Sequence, residues 1–159
     1  MKGIIKLSLY LSALLVMTFI TGCGEDDPLE SISLRGKIGG ADWTMKYGKA
    51  EIADSDPKIS AFFFSSESTE LNPCDIFFSG FASLQAQLPK ETGVYSLPFE
   101  NQRESITFIL PDGSFFISES GQVQITTVTS SVVAGSITAR YDDDNFVEGS
   151  FALNVCAEE

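Results

Sequence analysis

Apolar residues recur at every second position through much of this chain, and this alternation restricts its fold more than any other feature. Residues 133–141 and 147–155 show it best, because every alternate position there is apolar or glycine. Successive side chains of a strand point to opposite faces, so a period of two predicts strands with one buried face. No comparable stretch follows the period of about 3.6 residues that an amphipathic helix requires.

Turn residues divide the alternating segments into about nine to ten short strands. Pro111, Asp112 and Gly113 give the strongest hairpin signal, and the acidic run at residues 142–145 joins the last two strands. Evenly spaced short strands without a long helix predict an all-β fold, an antiparallel β-sandwich of about nine to ten strands. A small closed β-barrel is the alternative.

The residues within and beside each strand predict its place in the sheet. Consecutive phenylalanines at residues 62–64 point to both faces, so this strand should be covered on both sides, and residues 76–78 follow the same pattern. Residues 84–88 end at Pro89, and residues 92–97 lie between two prolines. Because proline cannot donate to a ladder, both segments should be edge strands. Residues 43–52 are predicted as one strand with an irregularity near Gly48.

The start of the chain has the layout of a secretory signal. Lys2 and Lys6 precede an uncharged apolar run from Leu7 to Ile20, which small residues then follow. At about 1.5 Å per residue this run is too short to span a hydrocarbon core of about 30 Å. Residues 1–22 are therefore predicted to be a signal peptide rather than a membrane helix.

The segment Ile20-Thr21-Gly22-Cys23 resembles the lipobox of bacterial lipoproteins, in which the cysteine is acylated and becomes the first mature residue. The resemblance implies a lipidated Cys23 and palmitate-type acyl chains that hold the protein on a membrane at about 0.8 kcal/mol per buried methylene. An ordinary signal peptide with an incidental cysteine is the alternative.

Residues 23–30 are predicted to be a lipidated cysteine and an acidic tether. The run Gly24-Glu25-Asp26-Asp27-Pro28 resembles the acidic export signal of Bacteroidetes-type surface lipoproteins, which implies an outer-membrane or cell-surface location in the bacterial envelope. A flexible acidic linker that carries no export signal is the alternative. Residues 31–159 should then form a single β-sandwich domain.

Charge and composition exclude several classes of function. The chain has 10 Lys and Arg against 22 Asp and Glu, a net charge of −12, and loss of Lys2 and Lys6 with the leader lowers it to −14. This charge disfavours nucleic acid and anionic lipid surfaces as partners. Absence of histidine removes histidine-based triads and histidine metal sites. We expect no cofactor and no metal, since the acids at residues 142–145 suit a turn better than calcium.

The three cysteines predict one disulfide. If Cys23 carries lipid, Cys74 and Cys156 remain, and an exported protein matures in an oxidising compartment where such pairs persist. The alternative is two free, buried thiols.

Short motifs of the mature chain, at residues 36–43, 92–95 and 149–151, look like landmarks of small Bacteroidetes lipoproteins of unknown function. The resemblance implies an all-β anchored domain and no activity.

Two sets of side chains are candidates for function. An aromatic platform for a glycan or peptide would use Trp43, Tyr47, Tyr95 and Tyr141, although a lone tryptophan also suits a core. A carboxylate pair for glycoside hydrolysis would come from Glu100, Glu104 and Glu119, but nothing in the sequence brings two of them together.

We therefore expect a non-catalytic envelope lipoprotein that binds a glycan or an envelope protein, or serves a structural role. The alternative is an anchored hydrolase acting on polysaccharide, with the serine type disfavoured because Gly-x-Ser-x-Gly is absent. A cleft of acids and aromatics would favour the hydrolase, and a packed domain without a deep pocket would favour binding.

The anchor is testable by substitution. Cys23→Ala should release the protein from membranes, because the later sequence has no apolar run long enough to span a bilayer. Membrane fractionation followed by a high-salt wash measures this. A substituted protein that stays wholly with the membrane would place the anchor elsewhere.

Overall fold

The computed structural model describes residues 33–65, 73–75, 80–100 and 104–156, which belong to one compact unit, Ser31–Glu159. Its strands are β1 Arg35–Ile38, β2 Ala41–Thr44, β3 Tyr47–Glu51, β4 Lys58–Phe64, β5 Ser83–Pro89, β6 Gly93–Leu97, β7 Ser105–Ile109, β8 Phe115–Ile117, β9 Ser120–Val128, β10 Val132–Arg140 and β11 Phe146–Cys156. A 3-10 turn at Pro73–Asp75 is the one helical element in these ranges. The all-β prediction is confirmed. Within the same ranges, no helix is long and apolar enough to cross a bilayer.

One hydrogen-bonded sheet contains all eleven of the described strands. The order is β6-β9-β10-β11-β3-β4-β5-β7-β8, and the β1–β2 hairpin joins β11 outside this path. The sheet curls into an open half-barrel and is not a clear sandwich. The prediction of a β-sandwich is therefore corrected. The closed β-barrel, which was the alternative, does not describe this sheet either, because the sheet is open. The physical reason is that strand twist accumulates along one continuous ladder, so curling replaces the packing of two separate sheets.

Strand β11 has two different neighbours on one side. Its first residues pair antiparallel with β1, where Phe146 faces Lys37, and its last residues pair parallel with β3, where Cys156 faces Glu51. The N–H of Leu34 donates to the Ser150 carbonyl at 3.0 Å between these two segments. On its other side β11 pairs with β10 over nine residue pairs. This arrangement joins the two halves of the sheet.

Both faces of β4 are covered, as the sequence predicted. Phe63 enters the main core and meets Phe151 edge to face, with ring centroids 5.4 Å apart. Phe62 and Phe64 are buried on the opposite face, where Tyr47 packs with its ring centroid 5.2 Å from that of Phe64. The central place of β4, between β3 and β5, is therefore confirmed.

Two of the sequence-based strand predictions are wrong. Residues 84–88 are not at an edge, because β5 lies between β4 and β7; Pro89 occupies the last position of the strand, where a missing donor matters little. Residues 43–52 form two strands rather than one. The chain changes partner at Met45 and Lys46, whose N–H groups donate to Leu34 and Phe64 respectively.

Two other strand predictions are confirmed, and a third lies outside the described residues. The edge position of β6 is confirmed, and so is the hairpin turn between β7 and β8. The strand predicted at residues 76–78 lies outside the described residues.

The turn between β1 and β2 is held by the loop between β10 and β11. Gly39 and Gly40 have φ values of 63° and 79°, which glycine adopts without steric cost. The N–H of Gly39 donates to the Asn145 Oδ1 at 2.9 Å, and the N–H of Gly40 donates to the Asp144 carbonyl at 2.9 Å. The Asn145 side chain also donates to Asp142 at 2.9 Å. The acidic run therefore forms a hydrogen-bonded turn.

A disulfide joins Cys74 to Cys156, with 5.6 Å between their α-carbons and a sequence separation of 82. It ties the 3-10 turn to the end of β11. Beside it the Lys49 ammonium, on a buried side chain, lies 2.8 Å from the Glu51 carboxylate and donates to the Cys74 carbonyl at 3.5 Å. The predicted pairing is thus present in the structure.

Reduction of this disulfide should lower the free energy of unfolding by about 4 kcal/mol, because the bridge restricts a long loop in the unfolded chain. Guanidinium unfolding with and without reductant measures the difference. The Cys74→Ala, Cys156→Ala double variant is the control and should not respond to reductant. Two alkylatable thiols in the folded, unreduced mature domain would contradict the pairing.

Candidate functional site

A cleft of about 630 Å³ opens beside the edge strand β6. We call it the Tyr95 cleft. The side chains that give it chemical character are Lys90, Glu91, Tyr95, Phe99, Glu100 and Glu104. They come from the turn between β5 and β6, from β6 itself, and from the segment between β6 and β7.

Local structure places the two rings. The Tyr95 hydroxyl donates to the Glu91 carbonyl at 2.9 Å, which fixes the ring across the start of β6. A β-carbon on Gly93 would approach that hydroxyl to 3.1 Å, so glycine leaves room for the ring. Phe99 follows the end of β6, and its ring centroid lies 6.4 Å from that of Tyr95, with the planes tilted by 50°. The rings therefore form an angled apolar wall rather than a flat stack.

Acidic side chains dominate the polar part of the cleft. Glu91, Glu100 and Glu104 line it, and Lys90 is the one cation among the lining residues that the structure describes. The Lys90 ammonium donates to the Ala53 carbonyl at 2.6 Å. The described part of its lining therefore offers several carboxylate acceptors and carries more negative than positive charge.

These groups can contact and hydrogen-bond a ligand, and their exposure bears on whether they could also cleave one. Ring faces contact the apolar face of a sugar or a side chain, and carboxylates accept hydrogen bonds from hydroxyl or amide groups. Glycoside hydrolysis requires one carboxyl group held in a shielded pocket as the acid. Glu91 and Glu100 are exposed and Glu104 is half-buried. Across the described ranges, no group of His, Cys, Asp and Glu side chains lies close enough to hold a metal ion.

The aromatic residues of the predicted platform are distributed over separate environments. Trp43 is 3% exposed and its indole N–H donates to the Ala82 carbonyl at 3.1 Å, so it is part of the core. Tyr47 packs on Phe64. Tyr95 lines the cleft, whereas Tyr141 lines a second depression. The structure does not bring the four together.

The predicted carboxylates are divided in the same way. Glu100 and Glu104 share the Tyr95 cleft, and Glu119 lines the second depression with Tyr141. Sequence reasoning missed Phe99 and Glu91. Phe99 stands four residues after Tyr95, beyond the end of β6. This spacing does not by itself indicate that the two rings lie close together, because their distance depends on how the chain turns after β6.

No family model, curated protein or solved structure matches this chain. The Tyr95 cleft is therefore a candidate site on the basis of its geometry alone.

The position of Trp43 is testable because it is the only tryptophan. Its fluorescence should resist acrylamide quenching in the folded protein and become accessible in guanidinium, since the indole is buried and hydrogen-bonded. Stern–Volmer titration of both states measures this. Equal quenching of the folded and the unfolded protein would show that Trp43 is exposed. It would then again be a candidate for the predicted aromatic platform.

Proposed function

We propose that this protein is a lipid-anchored lipoprotein of the bacterial envelope with a non-catalytic binding role, and that the Tyr95 cleft is its binding site. The partner is a glycan or an envelope protein. One observation carries the proposal. Of three cysteines in the chain, Cys74 and Cys156 are joined to each other, and the remaining one is Cys23 in the lipobox-like segment.

The disulfide supports export. Such bridges persist in oxidising compartments and are rare in the cytosol, so the pair agrees with a chain that carries a secretory leader. The lipid of Cys23 would then be the attachment to the membrane, with residues 23–30 as an acidic tether. The predicted export signal in that tether supports an outer-membrane or cell-surface location.

The Tyr95 cleft supports the binding role. It joins two half-buried rings to exposed carboxylates in an open depression. Concave sites that combine apolar rings with a few polar groups are typical of ligand binding. Among the described lining residues, three carboxylates outnumber one lysine, so neither nucleic acid nor an anionic surface suits the cleft.

A second candidate function has one specific observation in its favour. Glu91, Glu100 and Glu104 share one cleft with Tyr95 and Phe99, the combination of acids and aromatics that an anchored polysaccharide hydrolase would need. The exposure of Glu91 and Glu100 favours the non-catalytic role.

Site-specific crosslinking on intact cells tests the binding site. A photoreactive tyrosine analogue at Tyr95 should capture saccharide or an envelope protein, because its ring lines the cleft. The same analogue at Phe81 is the matched control, since Phe81 is an aromatic residue, 37% exposed, that does not line the cleft. Equal capture at the two positions, or none at Tyr95, would contradict the proposal.

Incubation of the full chain with soluble polysaccharide separates the two candidates. If the polysaccharide keeps its length and is recovered with the protein, the result supports binding without cleavage. Shortened polysaccharide, with turnover abolished by Glu104→Gln and preserved in Glu148→Gln, would establish the hydrolase instead. Glu148 is an exposed glutamate on β11 that does not line the cleft.

A further inference from the structure

Strand β8 has a free edge that carries exposed apolar side chains. It stands last in the sheet and pairs with β7 alone among the described strands. Phe115 is 64% exposed and Ile117 is 51% exposed. Proteins usually protect such edges with charged residues or proline inside the strand, and residues 115–117 contain neither.

The register shows which backbone groups face the open side. The N–H of Leu110 donates to the Ser114 carbonyl at 2.9 Å, and the N–H of Ser118 donates to the Ile106 carbonyl at 2.8 Å. Hydrogen-bonded pairs alternate along an antiparallel ladder, so Phe116 also bonds toward β7. The N–H and C=O groups of Phe115 and Ile117 therefore point to the free edge.

The side chains of β8 divide between two faces. Phe115 and Ile117 lie on one face, because they are two residues apart. Phe116 lies on the other and stacks on Tyr141, with ring centroids 4.9 Å apart and an angle of 28°. These residues border a depression of about 430 Å³. An added strand would find apolar contacts beside its backbone hydrogen bonds.

Acidic side chains stand at both ends of β8. Asp112 precedes the strand and Glu119 follows it, and both are exposed. Hydrogen bonds from the Ser114 hydroxyl and amide, at 2.6 and 2.9 Å, hold the pKa of the Asp112 carboxyl below its usual value. The neighbouring cation, Arg140, is paired with Asp143 at 2.9 Å.

The charges disfavour a second copy of this chain as the occupant. Antiparallel pairing of two β8 strands about a two-fold axis would place the Asp112 end of one strand beside the Glu119 end of the other. Like charges facing each other across a ladder are destabilising. The net charge of −12 of each whole chain adds to that repulsion.

We propose that β8 accepts an extended, basic peptide segment of a partner protein as an added strand. The segment carries apolar residues at alternate positions, which contact Phe115 and Ile117, and lysine or arginine at its ends, which meet Asp112 and Glu119. This mode of recognition takes affinity from main-chain hydrogen bonds and specificity from alternate side chains. It does not depend on the Tyr95 cleft.

A labelled peptide with the sequence Lys-Val-Thr-Val-Thr-Val-Lys and blocked ends tests the proposal. Fluorescence anisotropy of this probe with the full chain in nanodiscs of neutral lipid should report binding that weakens as salt rises. The same peptide with glutamate in place of lysine should bind at least about fivefold more weakly, because it meets Asp112 and Glu119 with like charge.

Ile117→Pro isolates the role of the edge. It removes an N–H that points away from β7, and proline is tolerated on edge strands, so the β7 ladder remains. It should weaken binding by about fivefold or more. Thr44→Pro, on the edge strand β2, is the control and should bind as the unchanged chain does, because the Thr44 N–H likewise points away from its partner strand β1. Far-UV circular dichroism verifies that both variants are folded.

Three results would overturn the proposal. They are equal affinity for the basic and acidic peptides, unchanged binding by Ile117→Pro, and a dimer of the full chain that Ile117→Pro dissociates. The last would assign the edge to a second copy.

Discussion

The divided pairing of β11 holds the described sheet together. One side of this strand bonds first to β1 and then to β3, and the other side bonds to β10 over residues 146–154. Without it, the path would separate into β6-β9-β10 and β3-β4-β5-β7-β8. The parallel contact with β3 covers only the last three residues of β11, and the disulfide of Cys156 stands at its end. The covalent bond thus reinforces one of the shortest junctions in the described sheet.

The two surfaces considered for binding follow from this continuous, open sheet. A closed barrel has no edges, whereas the half-barrel leaves β6 and β8 as the two ends of one path. The Tyr95 cleft forms beside the first, and the exposed Phe115 and Ile117 lie on the second. Both surfaces depend on main-chain geometry as much as on side-chain identity.

Local patterns predicted the elements that local physics determines. Alternation identified β10 and β11, and Pro111 to Gly113 identified the β7–β8 turn, because both signals act within a few residues. The position of β5 was missed, since proline at a strand end is compatible with an interior strand. The half-barrel and the separation of Glu119 from Glu100 and Glu104 depend on pairings between distant strands, which no local pattern encodes. Trp43 was open to two interpretations, because burial depends on what covers a residue.

The intact mass of the protein, extracted from membranes without reductant, tests most directly the proposed combination of a lipid-anchored Cys23 with a disulfide-bonded β-domain. We predict a chain that begins at Cys23, carries an acyl modification on that residue, and lacks two hydrogen atoms because Cys74 and Cys156 are joined. An unmodified chain that retains its leader, or a mature chain with two free thiols, would contradict it.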